Sequence, residues 1–202
     1  MQFVKAIGMK IKYTIPAILL LCMLAITARS FAQSGKGQVT PFRKGSVTLN
    51  LGVGFGTDYK NEYASSSAFG TKAALEFGVI KAGPGVVSFG IEAGATTSNK
   101  SSRYYNDFRS NTVVIAGRTA WHYGWKVPGL DTYGGLSAGA AFYHSGYRNN
   151  GNGNSNYDYN DVFPVIGGFV GASYFFTRKF GVNAEAGFDI TSLQAGVIFK
   201  FK

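Results

Sequence analysis

The chain has 202 residues, enough for one domain, and its 28 Gly, 17 Phe and 12 Tyr beside few helix formers favour strands and tight turns. Beyond the N-terminus no run of about 20 apolar residues occurs, which excludes a bundle of membrane-spanning helices. The formal net charge of +10 is scattered, with no basic cluster larger than a pair such as Arg178–Lys179, which argues against nucleic-acid binding.

Residues 1–32 read as an address. Lys5, Lys10 and Lys12 precede an apolar run from Ile15 to Ile26, interrupted only by Pro16, and Ser30-Phe31-Ala32-Gln33 follows. Charged, apolar and small-x-small stretches in that order make a secretory signal peptide, with cleavage expected after Ala32. The apolar run is too short to cross a bilayer as a helix. This segment holds the single cysteine, Cys22, which follows Leu19-Leu20-Leu21 and lacks the small neighbour of a lipoprotein signal. It also holds four bases and no acid, so residues 33–202 are expected to form one thiol-free domain of net charge +6.

Eight segments of this domain alternate with the period of a strand, in which successive side chains point to opposite faces. In the first, Val47, Leu49, Leu51, Val53 and Phe55 share one face, against Ser46, Thr48, Asn50, Gly52 and Gly54. The second, 71–80, sets Ala73, Leu75, Phe77 and Val79 against Lys72, Ala74, Glu76 and Gly78. The third, 86–97, sets Val87, Phe89, Ile91, Ala93 and Ala95 against Ser88, Gly90, Glu92 and Gly94. The fourth, 111–125, sets Val113, Ile115, Trp121, Tyr123 and Trp125 against Ala116, Arg118, Ala120 and His122. The fifth, 132–144, places Leu136, Ala138, Ala140 and Phe142 against Ser137, Gly139, Ala141 and Tyr143. The sixth, 162–176, carries Ile166, Val170, Ala172, Tyr174 and Phe176 on one face, and Phe169 interrupts the other. The seventh sets Phe180, Val182, Ala184, Ala186 and Phe188 against Gly181, Asn183, Glu185 and Gly187. The eighth sets Leu193, Ala195, Val197, Phe199 and Phe201 against Ser192, Gln194, Gly196 and Lys200, with Ile198 as an exception.

Connections alternate in length. Residues 81–85, 126–131 and 177–179 read as tight turns. Long polar stretches at 57–70, 98–110 and 145–161 read as loops, and the last connection is short. This is an up-and-down meander with two unlike ends. One face of each segment is apolar and free of charge, and the other is Gly, Ser, Asn and a few charges. An eight-stranded barrel is only wide enough inside for side chains, so small and polar residues belong inside and bulky ones outside, toward lipid. Aromatics gather near both ends: Trp121, Tyr123, Trp125, Tyr133, Tyr174, Phe175, Phe176, Phe180, Phe199 and Phe201 at the short-turn end, and Phe55, Tyr59, Phe142 and Phe188 at the other. Two such belts suit two membrane–water interfaces. A soluble barrel shares the period but turns its apolar face inward.

The inward charges Lys72, Glu76, Glu92, Arg118, Glu185 and Lys200, with His122, predict a lumenal network centred on Arg118, because buried charges must be paired. A structural plug and a narrow conducting path are both open to such a network. Catalysis is not expected. His144 and Ser145 are adjacent and point to opposite faces, a poor nucleophile–base pair, although Asp158 and Asp161 follow. The Asn-rich stretch Gly146–Asp161 lacks the closing bidentate Glu of a calcium loop, and neither metal nor cofactor is expected. Tyr104, Tyr105, Phe108, Tyr147, Tyr157 and Tyr159 offer a candidate surface for an external ligand.

With its leader, its eight alternating segments and its aromatic-rich last strand Leu193–Phe201, the chain resembles the small outer-membrane β-barrels related to the transmembrane domain of outer membrane protein A. The resemblance implies a bacterial outer-membrane location in contact with lipid and lipopolysaccharide. It also implies insertion by the barrel-assembly machinery, which reads an aromatic last strand; here Lys202 follows Phe201. No peptidoglycan-binding domain is expected after the eighth segment. The roles implied are envelope integrity or surface interaction, with a narrow pore, a lipid-modifying enzyme or a soluble lipocalin-like barrel as alternatives.

Overall fold

The computed structural model describes residues 39–56, 68–102, 105–147 and 157–202; the leader expected over 1–32, its cleavage after Ala32, and Tyr59 lie outside them. Eight strands follow one another: β1 (Val47–Gly56), β2 (Ala68–Ala82), β3 (Gly85–Ser102), β4 (Tyr105–Gly124), β5 (Leu130–Tyr147), β6 (Tyr157–Phe175), β7 (Phe180–Gly187) and β8 (Thr191–Lys200). Each pairs antiparallel with its sequence neighbours, and β8 returns to β1 from Thr48↔Lys200 to Phe55↔Leu193, closing an up-and-down barrel. Closure satisfies the backbone groups that an open sheet leaves at its two edges.

Side chains alternate around this wall with the polarity of a water-soluble barrel reversed. Ile91, Val170 and Ile166 are 63%, 63% and 77% exposed, whereas Lys72, Glu92, Arg118 and Glu185 are buried. The eight expected faces agree with this alternation, apart from residues near the β7–β8 turn. There Thr191 is buried and Ser192 is exposed, because the β1–β8 register shifts between Phe55 and Gly56. Tyr133 and Phe175, expected in the outer aromatic belt, are buried inside. Tyr133 shares the inward parity of Ser137 and Tyr143, and a strand cannot turn one of its side chains against that parity.

Two of the expected loops contain strand residues at both ends. β3 and β4 pair through Asn99↔Arg109 to Ser102↔Tyr105, and β5 and β6 pair through Ser145↔Tyr159 to Tyr147↔Tyr157. Residues 98–102 with 105–110, and 145–147 with 157–161, are therefore hairpin arms in which strand pairing persists after apolar alternation stops; 68–70 likewise belongs to β2. β2 pairs with β3 only as far as Thr97, and β6 pairs with β7 only from Phe169. The pairing of β3–β6 thus continues, among the described residues, past the last pairs of β1, β2, β7 and β8. Among the described residues, 157–168 of β6 have no strand partner on the β7 side.

Candidate functional site

The interior holds a lattice of ion pairs built from five strands and one turn. Arg118, on the inward face of β4, presents its fork to three carboxylates: Nε lies 2.8 Å from Glu76 Oε1, one terminal nitrogen 3.0 Å from Glu92 Oε2, and the other 3.1 Å from Glu185 Oε2. These glutamates come from β2, β3 and β7, so one planar cation ties together strands lying on different sides of the barrel. A guanidinium suits this task because its donors are fixed in one plane and point in different directions. Its guanidinium carbon also lies over the Phe169 ring of β6.

Lys72 of β2 forms the second cationic node. Its ammonium donates to Glu185 and to Asp189 Oδ2, the latter at 2.7 Å, and lies 4.0 Å from Glu92. Asp189 belongs to the β7–β8 turn, which folds into the barrel and buries Ile190 against Val114 and Ala141, with Phe163 and Val165 packed alongside. A cavity of about 10 Å³ beside Glu92, Ser137, Val165, Asp189 and Ile190 has room for about one water molecule.

Toward the short-turn end the lattice continues through His122. Its Nδ1 lies 2.8 Å from Asp131 Oδ2 and its Nε2 2.9 Å from Glu76 Oε2. Ser88 donates to Glu76 Oε2 at 2.7 Å, and the Tyr133 hydroxyl donates to Glu185 Oε2 at 3.2 Å. A continuous path of contacts thus runs from Asp189 through Lys72, Glu185, Arg118, Glu76 and His122 to Asp131. Such a lattice is costly to desolvate and is tolerable only when nearly every charge meets an opposite one.

Of the residues singled out from sequence, the structure brings together Lys72, Glu76, Glu92, Arg118, Glu185 and His122. It places Lys200 at the rim: the ammonium donates to the carbonyls of Thr40 and Pro41 and lies 4.1 Å from the Phe175 ring centroid. Lys200 shares the inward face near the end of β8, where its charge acts on Asp131 at the short-turn end of the lattice. Asp131 and Asp189 escaped the sequence reading because both lie at connections. Each continues the odd-numbered inward parity of its strand, and that signal could have found them. Phe169, read as an interruption, is the platform beneath Arg118.

At the opposite rim His144 is exposed and Ser145 is buried, so they face away from each other; His144 Nδ1 lies 2.7 Å from Asn160 Oδ1. Tyr159 and Asp161 are described beside them, with the tyrosine hydroxyl 3.4 Å from Asp161 Oδ2. The side chains of Tyr104, Tyr105, Phe108, Tyr147 and Tyr157 lie outside the described ones. Among the described residues, no group of three or more His, Cys, Asp or Glu is arranged to hold a metal ion.

No protein-family model matches the chain, and no curated protein matches it. Among solved structures it is similar to Ail, the attachment invasion locus protein of Yersinia pestis, seen in complex with the heparin analogue sucrose octasulfate. The two are 10% identical over 78% of this chain and 96% of Ail, with a TM-score of 0.45. It is similar to neisserial surface protein A at 14% identity over 77% of this chain and 94% of that one, with a TM-score of 0.45. The N-terminal β-barrel domain of Pseudomonas aeruginosa OprF is 17% identical over 78% and 98% of the two chains, with a TM-score of 0.38. The chain itself is a closed, antiparallel, up-and-down ring of eight strands.

Proposed function

We propose that the chain is an exported bacterial outer-membrane protein whose barrel is sealed inside by the ion-pair lattice. Its role is envelope integrity or surface interaction, without catalysis. The observation that carries this reading is the reversal of polarity: a closed sheet buries Arg118, Lys72 and four carboxylates around them while exposing Ile91, Ile166 and Val170. In water such an exterior is a large uncovered apolar surface, which soluble monomers avoid. In hydrocarbon it is the required one, and only a closed barrel or a helix satisfies the backbone there.

Export through the leader and insertion by the barrel-assembly machinery, with β8 as the strand read, complete this reading. Surface interaction falls to the β3–β6 arms, whose 157–166 edge offers backbone donors and acceptors to an external ligand. The separation of His144 from Ser145 supports a role without nucleophilic catalysis.

The test is membrane fractionation of expressing cells together with migration in cold detergent. The protein should fractionate with outer membranes and migrate differently before and after boiling. Recovery as a soluble protein would overturn the location. In planar bilayers the sealed interior should give no discrete conductance steps, whereas steady steps would replace the plug with a narrow pore.

A further inference from the structure

Residues 39–46, which precede β1, cross the short-turn mouth of the barrel. Phe42 is buried and its ring stacks on His122, with centroids 4.0 Å apart and planes at 20°. Ser46 N donates to the Arg43 carbonyl at 2.9 Å, and Arg43 N donates to Ser46 Oγ at 3.1 Å, closing a turn. Gly45 completes that turn at φ 85°, a region that suits glycine. Gly45 N then donates to the Gly78 carbonyl at 2.8 Å, and Gly78 N to the Ser46 carbonyl at 2.9 Å, which fixes the segment to β2. On β8, Lys200 holds the carbonyls of Thr40 and Pro41.

The wall makes room for this segment. A Cβ on Gly78 would lie 2.4 Å from the Arg43 carbonyl oxygen and 2.9 Å from Phe42 Cε1, and one on Gly124 would lie 2.5 Å from Pro41 Cγ. Contacts therefore reach the segment from β2, β4 and β8. A segment outside a wall needs no such clearances; one laid across an opening does.

We infer that residues 39–46 form a stopper, with Phe42 as its cork, that closes the short-turn mouth over His122 and Asp131. Its removal opens the inner end of the ion-pair lattice to water from that side only. Each of its holds is local: one stacked ring, one ammonium on two carbonyls, and two backbone hydrogen bonds to Gly78. The stopper can therefore leave without breaking a barrel strand pair. The inference concerns the barrel itself and holds in detergent, so it stands or falls apart from the membrane location.

Ser173 supplies the reporter. It is buried, pairs in register with Asp131 and Asn183, and its hydroxyl has no hydrogen-bond partner among the described residues, so Ser173→Cys removes no contact. In the full chain carrying Cys22→Ser, the new thiol should react slowly with a water-soluble methanethiosulfonate reagent. Phe42→Ala should speed the reaction by about tenfold or more, as local opening replaces burial, and Phe42→Tyr should leave it slow. Lys200→Met, which frees Thr40 and Pro41, should also accelerate it and decides the matter if Phe42→Ala does not fold. Folding is read in the same samples from heat-dependent migration. Fast labelling with the native stopper, or equal slow labelling in the folded variants, overturns the inference.

Discussion

The guanidinium carbon of Arg118 lies 3.9 Å from the centroid of the Phe169 ring. Lys72 approaches the same ring at 5.5 Å, so one aromatic ring serves both cations of the lattice. A cation over a desolvated ring gains about 2 kcal/mol, and the ring fills space that small interior residues leave open. Phe169→Ala should therefore lower unfolding stability in detergent by about 3–5 kcal/mol, with Phe169→Leu costing distinctly less. Urea titrations followed by tryptophan fluorescence measure both.

Removal of Arg118 takes a cationic partner from three carboxylates at once, leaving Glu92 and Glu185 to share Lys72 and Glu76 to face His122. Arg118→Ala should cost about 3–5 kcal/mol, because uncompensated buried charge is worse than no charge. Arg118→Lys should recover only part of this loss, since one ammonium cannot face Glu76, Glu92 and Glu185 in a single plane. An unchanged midpoint for Arg118→Ala would show that the lattice holds nothing together.

Asp189 tethers the β7–β8 turn to Lys72, 117 residues away in sequence. Asp189→Asn keeps the shape and removes the charge. It should cost about 1–3 kcal/mol and loosen the turn around Ile190, seen as faster amide exchange at 188–191 with little change in β1–β6. Equal acceleration along the whole chain would show that the turn is not an independent unit.

Ile91 points outward from the middle of β3, opposite Leu75 and Gly117. Arginine there separates the two solvents directly. In a bilayer, Ile91→Arg should cost about 2–4 kcal/mol and impair insertion. At an exposed site in water the same change falls within about 0.5 kcal/mol. Folding yields into lipid vesicles, compared with the parent, decide between them.

Strand number, order and facing were legible because the apolar alternation is strict: Val47 to Phe55, Val87 to Ala95 and Phe180 to Phe188 each hold one parity without a charge on the exposed side. The lattice members Glu76, Glu92, Arg118 and Glu185 followed from the opposite parity. What stayed hidden depends on main chain rather than side-chain pattern. The arms at 98–102 with 105–110, and at 145–147 with 157–161, are held by strand ladders that leave no periodic apolar mark. Asp131 and Asp189 looked like turn residues, and Phe42 precedes the first alternating segment, so no parity marks it; only the closed barrel gives a mouth for that ring to enter.

The β1–β8 seam has a consequence for biogenesis. It joins Thr48 to Lys200, near the first and last residues of the barrel, so no shorter product of translation can complete the ring. A chain lacking β8 is an open sheet with two unsatisfied borders and a charged concave face, prone to pair with a neighbour of its own kind. Seven-eighths of this molecule is therefore a different object, whose free borders stay unsatisfied until the last strand arrives.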